Sequence, residues 1–361
     1  MLEEISLIAD VRSEVSARLT EPWKYCTSKA LTITQLDEFS GPTIGLLARG
    51  KRFRAIAAYM GWISAAGPLK TDEIPDQLLD LGTSLELFQA SALVHDDIID
   101  DAIKRRGLPS AQIAFMTSFP MGGPRFGDSA AILWGDLLYA AANSYFSQAI
   151  STLSTENARR ASNLYVSMQA EVAYGQFLDL SAETREISPD MPPSRDAAME
   201  IIKHKTARYS VVIPLLLGAA LRGASDSLME QLEGFATPLG VAYQLRDDDL
   251  GIFGDQELTG KPAGDDIRSG KRTAQLALAW EMTDDQGRDY LMRYWGAPDL
   301  TPPIIDNICA IITGSGARRA ISDLMNEHLE QSQRFLDAMP CDAEVKRQLA
   351  DFGSSLVNRA N

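Results

Sequence analysis

Four aspartates interrupt an apolar, helix-forming stretch in LELFQASALVHDDIIDDAIKRRG, residues 85–107. They are Asp96, Asp97, Asp100 and Asp101. Side chains three or four positions apart share a helix face, so Asp96 lies beside Asp100 and Asp97 beside Asp101. Carboxylates stay ionised in a half-buried environment only with a counter-charge nearby, and a bound divalent cation can provide it. The alternative is an acidic helix surface in contact with water.

A second aspartate cluster bears on this choice. GVAYQLRDDDLGIFGD, residues 240–255, again places aspartates at the end of an apolar helical run, here Asp247, Asp248 and Asp249. Two clusters of this kind, each embedded in apolar sequence, favour metal binding over two coincidental acidic surfaces. Oxygen ligands select hard cations, and Mg²⁺ is the predicted ion.

Basic residues accompany the aspartates. Lys51 and Arg54 of GKRFR lie three positions apart, and Arg105 and Arg106 follow the first cluster directly. Four more lie in or near apolar or Gly-rich stretches: Lys205, Lys261, Lys271 and Arg272. Arg binds phosphate oxygens in pairs and Lys acts as a point charge, so Mg²⁺ and these cations predict a phosphate ester as ligand. The chain has no GxxxxGK[ST] or GxGxxG loop, which argues against a nucleotide.

No general base or nucleophile stands out in the sequence. The histidines are too few and scattered for a metal set, and His95 beside Asp96 is interpreted as a packed or hydrogen-bonded ring. There is no Ser-His-Asp order and no candidate cysteine nucleophile. This absence fits a reaction driven by metal-assisted departure of diphosphate into a dry apolar pocket, where the leaving diphosphate can also take the proton.

Composition excludes several classes of protein. The 361 residues carry a net charge of −15, which argues against nucleic acid and anionic membrane as partners. The cysteines are three, scattered and without a CxxC, so we expect neither disulfides nor zinc, and a cytoplasmic location. The N-terminal segment predicts an amphipathic helix and not a signal peptide. No charge-free run of 18 apolar residues predicts a membrane span.

Helical periodicity covers most of the chain, and no sustained alternation predicts strands. The predicted helices are 1–20, 50–67, one from Pro75 into the first cluster, 129–151, 156–181, 197–222, 226–253, 274–294, 303–314, 317–338 and a short last helix. We expect Pro214 to kink the helix at 197–222. The segments 117–128, 188–196 and 254–273 read as loops. Because one site would need both aspartate clusters, an all-α single domain over 1–361 is predicted.

Taken together, the motifs resemble those of the all-trans isoprenyl diphosphate synthase family. HDDIIDDAIKRRG and YQLRDDDLGIFGD are similar to its two aspartate-rich motifs, and GKRFR, Lys205-Thr206, TGKP and GQFLDL to its other motifs, in the family's order over roughly 45–275. The resemblance implies long antiparallel helices around a deep central cavity (the isoprenoid synthase type I fold), usually in a homodimer. It also implies Mg²⁺-dependent, head-to-tail condensation of isopentenyl diphosphate with an allylic diphosphate.

The same resemblance implies a role for each matching residue. Asp96 and Asp100, supported by Asp97, would bind two Mg²⁺ ions, and Asp247, supported by Asp248, a third. Arg105, Lys205 and Lys261 would bind the allylic diphosphate. Lys51, Arg54, Gln89 and Arg106 would bind isopentenyl diphosphate, and Thr206, Gln176 and Gln244 would face the developing carbocation. Tyr243 and Lys271 complete the predicted substrate contacts. For Gln89 the alternative is a buried polar residue without a ligand, and for Lys271 and Arg272 a solvated loop charge.

One position departs from the family pattern. The fifth residue of the second motif is Gly251, where many relatives have aspartate. We expect activity to survive, although the affinity for the third metal ion is in question. Asp249 points away from the Asp247 face. The pair Asp265-Asp266 is interpreted as loop charge.

Product length depends on the helix before the first motif, along which the growing chain runs in this family. The residues four and five positions before Asp96 are the small Ala92 and Ser91, and Phe88 lies one turn further. We therefore expect the pocket to accommodate a chain of more than fifteen carbons and to end near twenty, which predicts geranylgeranyl diphosphate as product. The alternative places Phe88 in the core, against another helix.

Other functions fit less well. A farnesyl or longer-chain synthase shares all the motifs. A terpene cyclase would have an NSE-type second motif and no isopentenyl diphosphate site. A catalytically silent subunit of a heteromeric synthase would have lost aspartates of the first motif, which are present here.

Overall fold

The computed structural model describes residues 2–20, 22–25, 39–69, 74–254 and 264–357. These residues are almost wholly helical, so the all-α prediction is confirmed. The α-helices are α1 (Leu2–Arg18), α2 (Ile44–Ala48), α3 (Phe53–Ala66), α4 (Asp76–Ile99), α5 (Ala111–Ser118), α6 (Gly123–Ile150), α7 (Thr155–Glu183), α8 (Arg195–Ile201), α9 (Ile213–Leu221), α10 (Asp226–Phe253), α11 (Asp265–Arg268), α12 (Ala274–Met282), α13 (Asp285–Tyr294), α14 (Pro302–Gly314), α15 (Ala317–Ala338) and α16 (Ala343–Val357).

The remaining regular elements are short. A π-helix, Ile202–Val212, joins α8 to α9, and a 3₁₀ turn spans Pro120–Gly122. Strands β1 (Lys104–Arg105) and β2 (Leu108–Pro109) form an antiparallel hairpin that the sequence pattern did not predict. A pair of two-residue strands is too short to show an alternating pattern.

The chain forms two compact units. The first comprises residues 1–162 and 217–224, and the second 163–216 and 225–361. The single domain over 1–361 stays a prediction. Within the described ranges, no helix is long and apolar enough to cross a membrane.

In the first unit, α4 packs along α6 and against α3. Glycine allows the close approach to α3, since a β-carbon on Gly82 would lie 3.0 Å from the β-carbon of Ala55. Buried aromatic side chains fill the core of this unit, namely Tyr59, Phe115, Trp134 and Tyr145. This packing fixes α4, whose C-terminal end carries the first aspartate cluster.

In the second unit, α10 packs against the π-helix and against α15. Gly240 of α10 lies opposite Ala207, where a β-carbon would come within 2.9 Å of the Ala207 backbone. The core includes Leu245, Ile252 and Trp280. It holds the C-terminal half of α10, which carries the second cluster.

The helix expected over 197–222 is present, but its middle part, Ile202–Val212, is a π-helix, and the kink at Pro214 stays a prediction. Two other predicted boundaries were wrong. The helix expected over 274–294 is broken because Asp284 accepts a hydrogen bond from the Gly287 amide (2.8 Å) and starts α13. Much of the loop expected at 117–128 is helical, since Pro124 lies in the first turn of α6, where its missing N–H costs nothing.

Candidate active site

The first aspartate cluster lies where α4 ends. The Asp100 amide donates to the Asp96 carbonyl (2.8 Å), and Asp101 has a left-handed backbone with φ of 49°. Asp96 is partly exposed and Asp100 exposed, whereas Asp97 is only 1 % exposed. The helix end therefore turns Asp96 and Asp100 toward solvent and Asp97 into the protein.

Arg105 neutralises the buried carboxylate. Its Nε donates to Asp97 Oδ1 (2.7 Å), and its Nη2 lies 3.7 Å from Asp96 Oδ2. Burial acts to lower the pKa of Arg105, but the hydrogen bond to Asp97 and the neighbouring aspartates raise the pKa above its ordinary value. Gln112 donates to the Asp97 carbonyl (2.9 Å) and fixes the chain after α4, a contact that sequence reasoning missed.

The β1–β2 hairpin presents the two arginines of the first motif. Arg105 pairs with Leu108 across a two-residue turn, in which Arg106 has φ of 53° and Gly107 φ of 74°. Two successive positive φ angles are the signature of a type I′ turn, which suits glycine at its second position. The glycine of the RRG motif thus allows the turn that separates Arg105 from Arg106.

Arg106 contacts the chain directly before the GKRFR segment. Its guanidinium donates to the Arg49 carbonyl, and the Arg49 guanidinium donates to the Arg106 carbonyl (2.6 Å). Gly50 beside this contact has φ of 134°, a backbone conformation that other residues rarely adopt, so glycine is favoured there. Burial first, and then the charges of Arg52, Arg54 and Arg105, lower the pKa of Arg106.

The residues of GKRFR differ in environment. Lys51 is exposed and Arg54 partly exposed, but Arg52 is 2 % exposed and donates to the carbonyls of Leu47 (2.6 Å) and Arg49 (3.1 Å). The structure therefore leaves Lys51 and Arg54 as the more accessible cations of this segment. A concentration of positive charge of this kind suits a diphosphate.

The helix before the first cluster has a half-exposed stripe with Gln89, Ala92 and Asp96. Ser91 and Phe88 are buried, and the Phe88 ring lies 5.9 Å from the ring of Tyr139 on α6. This contact is what the core interpretation of Phe88 predicted, and its role in product length stays a prediction.

His95 packs against a glycine. Its Nε2 lies 3.3 Å from the Ile132 carbonyl, and a β-carbon on Gly135 would overlap the imidazole ring. Its nearest charged partner is Asp136, at 3.7 Å. This environment agrees with the packed ring that we expected.

In the second unit, Lys205 and Thr206 lie on the π-helix and are partly exposed. Lys205 Nζ forms an ion pair with the buried Asp179 of GQFLDL. Gly175 makes the crossing possible, since a β-carbon there would lie 2.5 Å from the Lys205 amide. Asp179 thus fixes Lys205, a role that the sequence did not assign, and Gln176 lies one position after the crossing.

The three aspartates of the second cluster differ in their exposure to solvent. Asp247 is exposed, whereas Asp248 and Asp249 are buried. Gln244 Nε2 donates to Asp248 Oδ1 (2.7 Å), and Tyr243 beside it is partly exposed. Burial, and then the charge of Asp266, raise the pKa of Asp248 well above its ordinary value. A bound cation would relieve this crowding of carboxylates.

Both carboxylate oxygens of Asp249 accept hydrogen bonds from an arginine. Arg318 donates through Nε to Asp249 Oδ1 (3.0 Å) and through Nη2 to Oδ2 (3.3 Å), and Arg246 Nη1 lies 3.6 Å away. The Arg318 guanidinium also stacks 3.8 Å from the centroid of the Phe253 ring. Asp249 therefore stabilises the helix end, and Asp247 and Asp248 remain the candidate ligands of this cluster.

The interpretation of Asp266 as loop charge was wrong, because Asp266 lies on the helix Asp265–Arg268. Asp266 is buried, lies against Gly251, and has Lys271 Nζ 3.7 Å from its carboxylate. Lys271 is partly exposed and paired, while Arg272 Nη2 donates to the Arg185 carbonyl (2.8 Å). Neither is a freely solvated charge. Lys261 lies outside the described residues.

The donor chemistry fits a hard divalent cation. Both clusters supply carboxylate oxygens, which suit Mg²⁺. Within the described residues, no three His, Cys, Asp or Glu side chains already converge as a metal site. The part of each cluster that would bind a cation is the exposed part: Asp96 and Asp100 in the first unit, and Asp247 in the second.

Comparisons with known proteins agree with the motifs. The sequence model described as Polyprenyl synthetase matches residues 38–336. The chain is 28 % identical over 309 residues to a short chain isoprenyl diphosphate synthase of Methanothermobacter thermautotrophicus, covering 85 % of this chain and 86 % of that protein. It is 29 % identical over 329 residues to a geranylfarnesyl diphosphate synthase of Aeropyrum pernix, covering 90 % and 95 %.

A solved structure is similar over nearly the whole chain. The geranylgeranyl pyrophosphate synthase of Corynebacterium glutamicum, complexed with isoprenyl diphosphate and magnesium, superposes with a TM-score of 0.86. The two proteins are 32 % identical, and the match covers 98 % of each chain. The predicted fold class is therefore confirmed.

Proposed function

Since the chain belongs to the polyprenyl synthetase family, we propose that it condenses isopentenyl diphosphate head to tail with an allylic diphosphate. The observation that carries this proposal lies inside the first unit. There, Arg105 is bound to the aspartates of α4, while its neighbour Arg106 is bound to Arg49, directly before the GKRFR segment. A carboxylate site for cations thus adjoins an arginine-rich site for anions, as a metal-bound diphosphate requires.

The chain's own residues would do most of the work by binding and orientation. Asp96 and Asp100 would hold Mg²⁺, which would supply Lewis-acid assistance to the departure of diphosphate. Arg105, Lys205 and Lys261 hold the allylic diphosphate as charge develops on it. Lys51, Arg54, Gln89 and Arg106 hold isopentenyl diphosphate, with Tyr243 and Lys271 as further substrate contacts.

Side-chain oxygens stabilise the positive charge on the allylic carbon. Thr206, Gln176 and Gln244 are the candidates, and the Gln244 amide nitrogen already donates to Asp248. That bond orients the amide, so the Gln244 oxygen is the end left for the substrate. The released diphosphate is the proton acceptor, in keeping with the lack of a protein base in the sequence.

The second cluster would bind a third Mg²⁺ ion through Asp247, supported by Asp248. The exposure of Asp247 and the raised pKa of Asp248, caused by burial and nearby carboxylates, support this assignment. Asp97 is a supporting residue of the first cluster, because Arg105 already holds its carboxylate.

We propose geranylgeranyl diphosphate as the main product. Ala92 is small and half-exposed on α4, which leaves room for a chain beyond fifteen carbons. Relatives make different lengths, since one is named for geranylgeranyl and another for geranylfarnesyl diphosphate. Farnesyl and longer products remain the alternatives.

A homodimer is also proposed. The exposed face of α6 carries Ile132, Leu133 and Tyr139, which are 46 %, 60 % and 38 % exposed. An exposed apolar helix face of this kind is suited to a second copy of the chain. Leu133→Asp is expected to shift the mass measured by light scattering from dimer to monomer; an unchanged mass would contradict this interface.

The experiment that tests the function is a product assay. The purified protein is incubated with Mg²⁺, isopentenyl diphosphate and an allylic starter of five, ten or fifteen carbons, and chain length is read by mass spectrometry. A dominant twenty-carbon diphosphate is expected. Cyclic hydrocarbons would indicate a cyclase, and the lack of both condensation and diphosphate release would indicate a silent subunit.

A further inference from the structure

Glu86 is a buried acid on α4 that the motifs leave without a role. It is 6 % exposed and lies ten positions before Asp96, in the interior of the first unit. Its Oε1 accepts hydrogen bonds from the amides of Arg54 (3.2 Å) and Ala55 (3.4 Å). These amides belong to α3, which starts at Phe53 and carries the end of GKRFR.

The bonds replace a missing helix cap. Arg52 occupies the N-cap position of α3, in a left-handed conformation with φ of 55°, and its side chain makes no cap bond. The amides two and three residues after a cap position are the ones that a capping side chain normally satisfies. Glu86 satisfies both of them from a different helix. A negative charge at this helix N-terminus also interacts favourably with the helix dipole.

Glu86 also opposes the positive charge of this region. Its Oε2 lies 3.9 Å from Arg52 Nη1. Burial lowers the pKa of Arg52 and of Arg106, and the charge of Glu86 acts against that lowering in both. One carboxylate therefore stabilises the start of α3 and the positive charge of Arg52 and Arg106 beside it.

We propose that Glu86 is the positioning residue of the isopentenyl diphosphate site. It holds the start of α3 so that Lys51 and Arg54, on either side of the buried Arg52, face the same diphosphate. It acts through backbone amides and does not touch the substrate. This inference rests on the proposed function, and it adds a residue that none of the motifs contains.

Two substitutions separate the parts of this role. Glu86→Ala removes both the acceptor and the charge, and Glu86→Gln keeps an acceptor oxygen for the two amides. Loss of a helix cap corresponds to about a 2- to 30-fold change in an equilibrium constant. For Glu86→Ala we expect KM for isopentenyl diphosphate to rise about tenfold, with KM for the allylic diphosphate changed less than about twofold. Glu86→Gln should recover most of the loss.

Asp80→Asn is the matched control. Asp80 lies on the same helix, is equally buried at 6 %, and pairs with Arg18 instead of with α3. The Asp80→Asn variant should have a lower melting temperature, and the ratio of the KM for isopentenyl diphosphate to the KM for the allylic diphosphate should stay the same. If Glu86→Ala and Asp80→Asn behave alike, or if both KM values rise together in Glu86→Ala, the positioning role is wrong.

Folding and function can be judged separately. Should Glu86→Ala fail to fold, Glu86→Asp, whose shorter side chain cannot reach both amides, must give the selective rise in KM. A wild-type protein without condensation activity would overturn the proposed function. The positioning role is then decided by calorimetry with inorganic diphosphate, where Glu86→Asp must bind more weakly than both wild type and Asp80→Asn; equal binding overturns it.

Discussion

The carboxylate of Asp266 occupies the space that a side chain at position 251 would need. A β-carbon built on Gly251 would overlap the Asp266 carboxylate. The second motif lacks its fifth aspartate, yet a buried carboxylate from α11 lies at that point of α10. Glycine at position 251 thus leaves room for the carboxylate of Asp266.

Restoring the family's aspartate should therefore harm the protein. Gly251→Asp introduces a side chain into filled space beside a like charge, and we expect a loss of about 1–3 kcal/mol in the free energy of unfolding. Denaturant unfolding measures this loss. The double variant Gly251→Asp, Asp266→Gly, which moves the carboxylate from α11 to α10, should recover part of it. A stable Gly251→Asp single variant with stronger Mg²⁺ binding would contradict the relationship.

Removal of metal should abolish turnover. Chelation by EDTA is expected to stop condensation and Mg²⁺ to restore it, because loss of diphosphate is the step that the cation assists. Asp96→Asn and Asp247→Asn should each lower kcat at least about 100-fold. Asp101→Asn is the control, since asparagine tolerates its left-handed backbone. Equal losses in all three variants would remove the assignment of specific ligands.

Phe88 is tested by product length. Phe88→Ala should lengthen the product beyond twenty carbons if the ring closes the pocket, and Ala92→Phe should shorten it to fifteen or fewer. Mass spectrometry of the products from one starter gives the answer. An unchanged profile for Phe88→Ala, together with a shortened one for Ala92→Phe, would leave Phe88 as a core residue against Tyr139.

Arg318 should support the end of α10. Arg318→Ala leaves the Asp249 carboxylate, 4 % exposed, without its two closest donors, and we expect a loss of about 1–3 kcal/mol in unfolding free energy. Arg319→Ala is the control. The Arg319 side chain is 88 % exposed, and its ion pair with Asp323 is long at 4.0 Å. That change should stay within about 0.5 kcal/mol. Equal melting curves for both variants would show that Arg246 alone suffices for Asp249.

The sequence was informative where a motif is local. Residue type and spacing singled out the aspartates of α4, the arginines that follow and Lys205-Thr206 as candidates, and periodicity predicted the all-α fold, which is confirmed. The helix breaks near Asp284 were missed because a single capping residue decides them. These are properties of a few neighbouring residues.

Partners distant in the sequence were not predictable in this way. Glu86 caps α3, whose amides lie more than thirty residues away, and Asp179 pairs with Lys205 across 26 positions. Asp266 looked like loop charge because only tertiary packing brings α11 to Gly251. In each case the residue type was visible, but its partner was set by the crossing of helices.

The π-helix at Ile202–Val212 has a consequence for how many residues this part of the chain must contain. Its hydrogen bonds join residues five positions apart, as from the Ile213 amide to the Arg208 carbonyl, whereas those of an α-helix join residues four positions apart. Deleting one residue would remove chain length that these wider turns hold, and the segment would return toward the α-form, with a changed backbone at Lys205 and Thr206. The length of this segment is therefore part of the geometry of the site, and chimaeras with relatives should be joined outside it.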